Sequence, residues 1–176
     1  MMNKTNNFLT RTAVLLALTV LFQSLRSIIP MPANVSQYVV GSLVNLSLIV
    51  AAVIVGVKGG LIISIAAPFI AFFQGFQQNL VMVPMIALGN IAIVVVVALL
   101  YNKNKILALA SGAILKFVVL YLAVVKITVP LFLADKPDKM KAAISLSFSW
   151  PQLVTAAIGG LLALVVIPLV KKAIKD

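Results

Sequence analysis

The stretch LVMVPMIALGNIAIVVVVALLY, residues 80–101, decides the fold class, because it is long, apolar and free of charged side chains. A helix that crosses a bilayer needs about 20 mostly apolar residues, whereas a membrane barrel shows segments of about 10 residues with alternating polarity. The rest of the chain repeats the first pattern. It predicts an all-α integral membrane protein with six transmembrane helices in one compact bundle, at about residues 8–29, 38–57, 60–76, 80–101, 106–130 and 150–170.

The composition of the 176-residue chain supports this class. Hydrophobic residues make up 63% of it and charged residues 10%, whereas soluble domains are roughly half apolar and a quarter charged. The absence of cysteine excludes a disulfide framework. No internal repeat divides the sequence, so we expect a single domain over residues 1–176. Only the stretch from Ala134 to Ser149 is long enough to predict a real polar loop.

The positive charges predict that both termini are cytoplasmic, since Lys and Arg in short loops stay on that side. That orientation places most of them inside: Lys4, Arg11, Lys58, Lys103, Lys105, Lys171, Lys172 and Lys175. The outer side then holds Arg26, Lys136, Lys139 and Lys141. The formal net charge of +11 is explained by attraction to the anionic leaflet. We expect no nucleic-acid partner, because the basic residues are scattered at span ends.

Enzymatic chemistry is disfavoured by the residues that the sequence lacks. It contains no His, Cys or Glu, which removes the usual nucleophiles, bases and metal ligands. Asp135 and Asp138 lie beside lysines in the polar loop, where a solvated turn is the simpler interpretation. Ser111 and Lys116 are five residues apart and do not share a helix face. No G-x-x-x-x-G-K-[ST] loop is present. We therefore expect no catalytic site, no metal and no cofactor, and any ATP is hydrolysed by another subunit.

Two lysines in the fifth span indicate a binding function, since a Lys near the bilayer centre costs roughly 3 kcal/mol. Lys116 lies about 15 Å along the helix from Ile106, and no span holds a carboxylate. Its candidate partners are backbone carbonyls, amide side chains, water, lipid phosphate or an anionic ligand. Lys126 lies nearer the outer face, where it either snorkels to the headgroups or contacts a ligand.

The same span is longer than a membrane requires. From Ile106 to Leu133 a straight helix would measure about 40 Å, against a hydrocarbon core of about 30 Å. We predict that the helix breaks at Pro130 and that Pro130 to Leu133 fold over the outer end of the bundle as an apolar flap.

An aromatic and amide cluster joins the third span to the fourth. The phenylalanines recur at helical spacing and form one stripe: Phe69, Phe72, Phe73 and Phe76. Four amides follow or interleave: Gln74, Gln77, Gln78 and Asn79. The stripe alone is typical of packing or lipid contact, but the amides can meet a polar planar ring, as in a ligand pocket. Tyr38, Trp150 and Gln152 share the outer side, although an interfacial aromatic belt is the favoured explanation of the first two.

In the first span, Ala13-x-x-x-Ala17 forms a strip of small residues. Such a strip lets another helix approach closely in lipid. The partner helix could belong to this chain or to another subunit.

Several short motifs accompany these features. They are a basic residue just before the Ala-x-x-x-Ala strip, the run GSLVN at 41–45, the turn Lys58-Gly59-Gly60 and the run ALGN at 87–90. Together with six spans, cytoplasmic termini and no nucleotide site, they make the chain similar to the substrate-binding S components of energy-coupling factor (ECF) vitamin transporters. The resemblance covers the whole chain and identifies no particular substrate.

The resemblance implies a multi-pass protein in the plasma membrane of a prokaryote. It would capture a vitamin-like micronutrient at the outer face with high affinity, and release it inside on association with a coupling subunit and two ABC-type ATPases. Ala13 and Ala17 would then contact the coupling subunit. The ligand would lie between the outer ends of the later spans, under the external loops.

The candidate substrate-binding residues are Lys126, Gln74, Gln77, Gln78, Asn79, Phe73, Phe76, Tyr38, Trp150, Gln152, Arg26 and Lys116. A span region without carboxylates favours a neutral or anionic ligand over a cationic one, which could bind only through cation-π contacts. We expect a planar ring stacked on aromatic side chains and met by Lys126 or Arg26. Two other hypotheses remain open: a ligand-free structural or assembly protein, and a stand-alone facilitator.

Overall fold

The computed structural model describes residues 4–77 and 79–175, and every regular element in these two ranges is helical. In chain order the helices are α1 (Lys4–Ile28), α2 (Ala33–Ile54), α3 (Val57–Phe73), α4 (Met82–Leu100), α5 (Lys105–Leu120), a π-helical segment (Tyr121–Thr128), α6 (Val129–Phe132), α7 (Asp138–Ser147) and α8 (Trp150–Lys175).

Within the described ranges, five helical runs are long and apolar enough to cross a membrane. They are α1, α2, α4, the run from α5 through α6, and the run from α7 through α8. The remaining unit, α3, is a shorter apolar helix of 17 residues. The helical class predicted from the sequence is therefore confirmed, and the six predicted spans fit these six units. The side on which the termini lie remains a prediction.

The turn between the second and third units lies earlier than predicted. Gly56 has a φ of 89°, a left-handed conformation that favours glycine, and its N–H donates to the Ala51 carbonyl at 3.1 Å. This closes α2, so that α3 begins at Val57. Gly59 and Gly60, which we expected in the turn, are instead buried within α3.

The core of the bundle is built around α2, which packs against α1, α3, α4 and α8. Its close approach to α8 depends on Gly159. A Cβ at this position would lie 2.8 Å from the Ser42 carbonyl oxygen and 2.7 Å from the Asn45 Cβ. The missing side chain thus lets Thr155 of α8 reach Asn45 of α2.

The prediction of a helix break at Pro130 is wrong. The chain stays helical through Pro130 to Phe132, and its irregular part is the preceding π-helical segment. Within it the Thr128 hydroxyl donates to the Ala123 carbonyl at 2.8 Å. Pro130 directly follows the π-helical turns, and their irregular hydrogen bonding accommodates a residue that has no N–H to donate. Leu133 is only 3% exposed and packs in a core cluster with Leu120, so no apolar flap forms.

The stretch predicted as a polar loop contains a helix. α7 begins after Pro137 and buries none of its own residues. Ile144 and the following Phe148 pack against the cluster around Leu120. The stretch does remain charge-mixed, because Asp138 pairs with Lys141 at 2.8 Å. α7 was missed because its two apolar contacts are too few to give a helical pattern.

Candidate functional site

A polar cavity lies at the end of the bundle remote from Lys4 and Lys175, where α1 ends, α2 begins and α7 meets α8. Its inner part, which we call the chamber, has a volume of about 130 Å³. Two cations line it, Arg26 and Lys116, together with the aromatic rings of Phe76 and Phe148. Six amide side chains also line it: Gln23, Gln37, Asn45, Gln77, Asn90 and Gln152. This density of amides is unusual for the inside of an apolar bundle.

A wider space adjoins the chamber, and we call it the vestibule. Its volume is about 580 Å³, and one of its walls is α7. Six residues line both spaces: Arg26, Gln37, Phe76, Gln77, Phe148 and Gln152. The chamber and the vestibule therefore form one funnel that narrows into the bundle.

Lys116 lines the inner part of this funnel and is 4% exposed. Its Nζ donates to Oδ1 of Asn45 at 2.6 Å and to Oδ1 of Asn90 at 2.8 Å. The first partner lies on α2 and the second on α4, so a single ammonium group joins three helices. Both acceptors are neutral amides, which solvate the charge without cancelling it.

Each of these asparagines is itself held in place. The Nδ2 of Asn45 donates to the Thr155 hydroxyl at 3.3 Å, and that hydroxyl donates to the Gln152 carbonyl at 3.2 Å. The Nδ2 of Asn90 makes a longer contact of 3.5 Å with the Ser64 carbonyl. The bond to Thr155 orients Oδ1 of Asn45 towards the lysine, and the longer Ser64 contact favours the same orientation of Asn90.

Gln23 of α1 contributes a different polar group to the chamber. It is buried, and its Nε2 donates to the Ala67 carbonyl of α3 at 3.3 Å. Its Oε1 is buried too, and no residue in the described ranges donates to it. A buried acceptor without a donor is costly, and such groups in native proteins call for an explanation.

α7 is attached over the funnel by two glutamines. Both Gln37 of α2 and Gln152 of α8 donate through Nε2 to the Ser147 carbonyl, at 2.8 Å and 3.0 Å. Ser147 is the last residue of α7, where helix carbonyls lack intrahelical partners. The same two side chains line the chamber and the vestibule, so the attachment of α7 and the shape of the cavity are coupled.

The structure brings together five of the sequence-predicted residues along the chamber: Arg26, Phe76, Gln77, Lys116 and Gln152. The guanidinium of Arg26 lies 6.0 Å from the centre of the Phe76 ring. Asn79 lines only the vestibule. Gln78 lies outside the described residues.

The other predicted residues lie away from the funnel lining. Lys126 is exposed, with its Nζ 5.5 Å from the ring centre of Tyr121. Tyr38 and Trp150 pair with each other at a ring-centre distance of 6.2 Å. Phe73 is 82% exposed.

Gln74, the last of the set, donates through Nε2 to the Ser24 hydroxyl at 3.0 Å and is exposed. It connects the end of α3 to α1 near the mouth of the funnel without lining it.

Sequence reasoning missed five polar residues of the chamber: Gln23, Gln37, Asn45, Asn90 and Thr155. Asn45 and Asn90 did appear, but only as the last letters of two short motifs. The sequence does mark these two asparagines, because each is an isolated amide within an apolar span. Polar side chains in a span cost free energy in lipid, so they face a cavity or a polar partner.

Ala13 and Ala17 lie on α1, away from the end of the helix that lines the funnel. Both are exposed, as are their neighbours Val14, at 60%, and Leu21, at 56%. α1 packs against α2 and α3 through its other face. The strip is therefore a flat apolar surface on the outside of the bundle rather than a packing surface within it.

A comparison with protein-family models matches residues 7–171 to the family described as ECF transporter, substrate-specific component. Neither the curated proteins nor the solved structures include one that matches the chain significantly. The matched region takes in every helix that lines the funnel. The resemblance seen in the short motifs is thus confirmed over nearly the whole chain, and it describes a multi-pass membrane protein. The chain belongs to the substrate-specific components of ECF transporters.

Proposed function

We propose that this chain captures a vitamin-like small molecule at the outer face of the membrane and delivers it inside. The observation that carries the proposal is the funnel, in which amides, two cations and two aromatic rings converge within an otherwise apolar bundle. A ligand site combines apolar walls with a few such polar groups. Substrate-specific components of ECF transporters work with a coupling membrane subunit and ATPases, so release would be driven by those partners.

The charges and the position of the funnel support an orientation with both termini inside. The funnel opens at the end of the bundle remote from the termini. The basic residues of the helix ends are more numerous at the terminal end, which favours a cytoplasmic location for that end. Under this orientation the funnel faces outwards, as a capture site for an importer requires.

The ligand is neutral or anionic. No acidic residue lines the described parts of the chamber or the vestibule, so a cationic ligand would meet no counter-charge. Phe76 and Phe148 line both spaces and offer ring faces or edges to a planar group. The amides supply both donors and acceptors, which suits a polar ring system.

The strip at Ala13 and Ala17 is the proposed contact with the coupling subunit. Small residues four apart let two helices approach within lipid, and both alanines are exposed on α1. The strip lies towards the terminal end of the bundle, away from the funnel. Docking there would leave the ligand site free.

Co-purification tests this division of labour. The tagged chain is expressed with a coupling subunit and two ATPases, and the double variant Ala13→Leu/Ala17→Leu is compared with Ala110→Leu, an exposed alanine on α5. We expect the double variant to recover at least tenfold less coupling module, and the control to recover the wild-type amount. Full recovery by the double variant would contradict the assigned contact. Failure of the wild-type chain to bind any coupling module would contradict the proposed function.

A further inference from the structure

We infer that Lys116, Asn45 and Asn90 form a receptor for one acidic group of the ligand, and that Gln23 accepts a hydrogen bond from an uncharged donor on the same ligand. The substrate class is then a small monoanionic acid, of the carboxylate type, that carries an amide, ureido or hydroxyl group. This inference rests on the proposed function and narrows it to a chemical class.

Lys116 has no counter-charge among the described residues. Lys116 is buried in the fifth unit of a membrane bundle, and its two acceptors in the described chain are neutral. The acidic side chains Asp135 and Asp138 pair with Lys136 and Lys141 in the segment around α7. A buried ammonium is stabilised far more by an anion than by amide dipoles. A ligand that brings its own carboxylate would supply that anion.

The ammonium group of Lys116 has bonding capacity left for a ligand. A lysine has three N–H donors, and the asparagine oxygens at 2.6 Å and 2.8 Å use two of them. One donor is left, and Lys116 lines the chamber. Because Asn45 and Asn90 are held by Thr155 and the Ser64 carbonyl, the lysine need not move to receive an anion. Such preorganisation lowers the entropic cost of binding.

The second polar group of the proposed receptor is a hydrogen-bond acceptor on α1. Gln23 Oε1 is buried and has no donor among the described residues, while its Nε2 is already bonded to the Ala67 carbonyl. An N–H or O–H of the ligand in the chamber would satisfy this oxygen. A site of this kind discriminates strongly against analogues that lack the donor, because they leave the buried acceptor unpaired.

The cations of the funnel limit the total charge of the ligand. Arg26 lines the funnel where the chamber meets the vestibule, so the entrance is also positive. Because the described lining holds two cations and no acidic residue, an ammonium group on the ligand would be repelled. Lys116 is the one buried cation of the described chamber, which matches a single negative charge at its inner end. A positive entrance also steers anions inwards.

The experiment uses the full chain, purified from cells grown in rich medium. Small molecules are extracted from the wild-type protein and identified by mass spectrometry. The extracted compound and its methyl ester are then added back to wild-type protein from which the compound has been removed. We expect an acid with an uncharged donor group, and an ester that binds about 30-fold or more weakly, the loss that follows from breaking a buried charge pair. This comparison needs no variant and does not depend on a variant's folding.

The variant Lys116→Met should copurify with at least about tenfold less of the compound, whereas Lys105→Met, the same substitution at the exposed start of α5, should carry the wild-type amount. A compound without an acidic group, an ester that binds as well as the acid, or full retention by Lys116→Met would each overturn the inference while leaving the proposed function intact. A wild-type protein that binds its coupling module but carries no compound under any growth condition would contradict the proposed capture role and the inference with it.

Discussion

The ammonium of Lys116 lies 2.6 Å from the side-chain oxygen of Asn45, a residue 71 positions away in the sequence. This bond and the equivalent one to Asn90 join α5 to α2 and α4 inside an apolar bundle. The two bonds link three helices, and the ammonium group that makes them lines the inner end of the funnel. We therefore expect substitutions of Lys116 or its asparagine partners to change both the stability of the protein and its binding of ligand.

Replacing Asn45 tests the structural half of this relationship. Asn45→Leu leaves the buried ammonium with one acceptor, so we expect the free energy of unfolding to fall by about 1–3 kcal/mol. The double variant Asn45→Leu/Lys116→Met should lose less than the sum of the two single losses, since removing the charge also removes the need for its acceptor. Thermal unfolding in detergent measures both, with the exposed Asn102→Leu as the control. Strict additivity would show that the two residues are not coupled.

Comparing the two lysines of the fifth unit decides which one receives an anionic ligand. Lys116 lines the chamber, whereas Lys126 is exposed beside Tyr121. We expect Lys116→Met to reduce the amount of copurified compound at least about tenfold and Lys126→Met to leave it unchanged, as measured by quantitative mass spectrometry. The opposite result would favour the hypothesis, drawn from the sequence, that Lys126 contacts the ligand.

The attachment of α7 by two glutamines predicts that their removal speeds hydrogen exchange in this helix. Gln37 and Gln152 both donate to the Ser147 carbonyl, so Gln37→Leu/Gln152→Leu should release the end of α7. We expect faster hydrogen exchange of the α7 amides, because local opening depends on such bonds. Exchange mass spectrometry reads this out peptide by peptide. Gln74→Leu is the matched control, since that glutamine bonds to Ser24 instead. Unchanged exchange in the double variant would mean that packing of Ile144 and Phe148 alone holds α7.

Two adjacent glycines of α8 should respond differently to the same substitution. A Cβ at Gly159 would lie 2.7 Å from the Asn45 Cβ, whereas a Cβ at Gly160 would lie no closer than 3.4 Å to Leu109. We expect Gly159→Ala to destabilise the protein by about 1–3 kcal/mol through overpacking, and to weaken ligand retention by displacing Asn45. Gly160→Ala should change the midpoint of thermal unfolding little. Equal midpoints for the two variants would contradict the close approach of α8 to α2.

The spans could be predicted because apolar length is a local property of the sequence, as residues 80–101 show. The helix ends were less predictable: Gly56 closes α2 through its own left-handed conformation, and nothing in the pattern distinguishes it from Gly59 and Gly60. Lys116 could be recognised from its cost in the membrane. Its partners could not, since Asn45 and Asn90 meet it only after three helices pack.

The sequence also could not show which amides of the cluster after α3 line the chamber. Gln74 and Gln77 are neighbours in the sequence, yet the structure places Gln77 on the chamber and Gln74 against Ser24. The direction of each side chain depends on the path of the chain after α3, which passes through Gly75 at a φ of 78°. The composition of the sequence after α3 indicates a polar region near the ligand site. Only the path of the backbone shows which of its amides line the chamber.

Reconstitution into liposomes tests whether the chain works as the capture subunit of an ATP-driven importer. The chain is reconstituted alone and together with a coupling subunit and two ATPases. Uptake of the compound extracted from the wild-type protein is then measured with and without ATP in the vesicle lumen, which corresponds to the cytoplasm. We predict uptake only when the complete complex and ATP are both present. Uptake by the chain alone, without partners or ATP, would contradict the account and identify a facilitator instead.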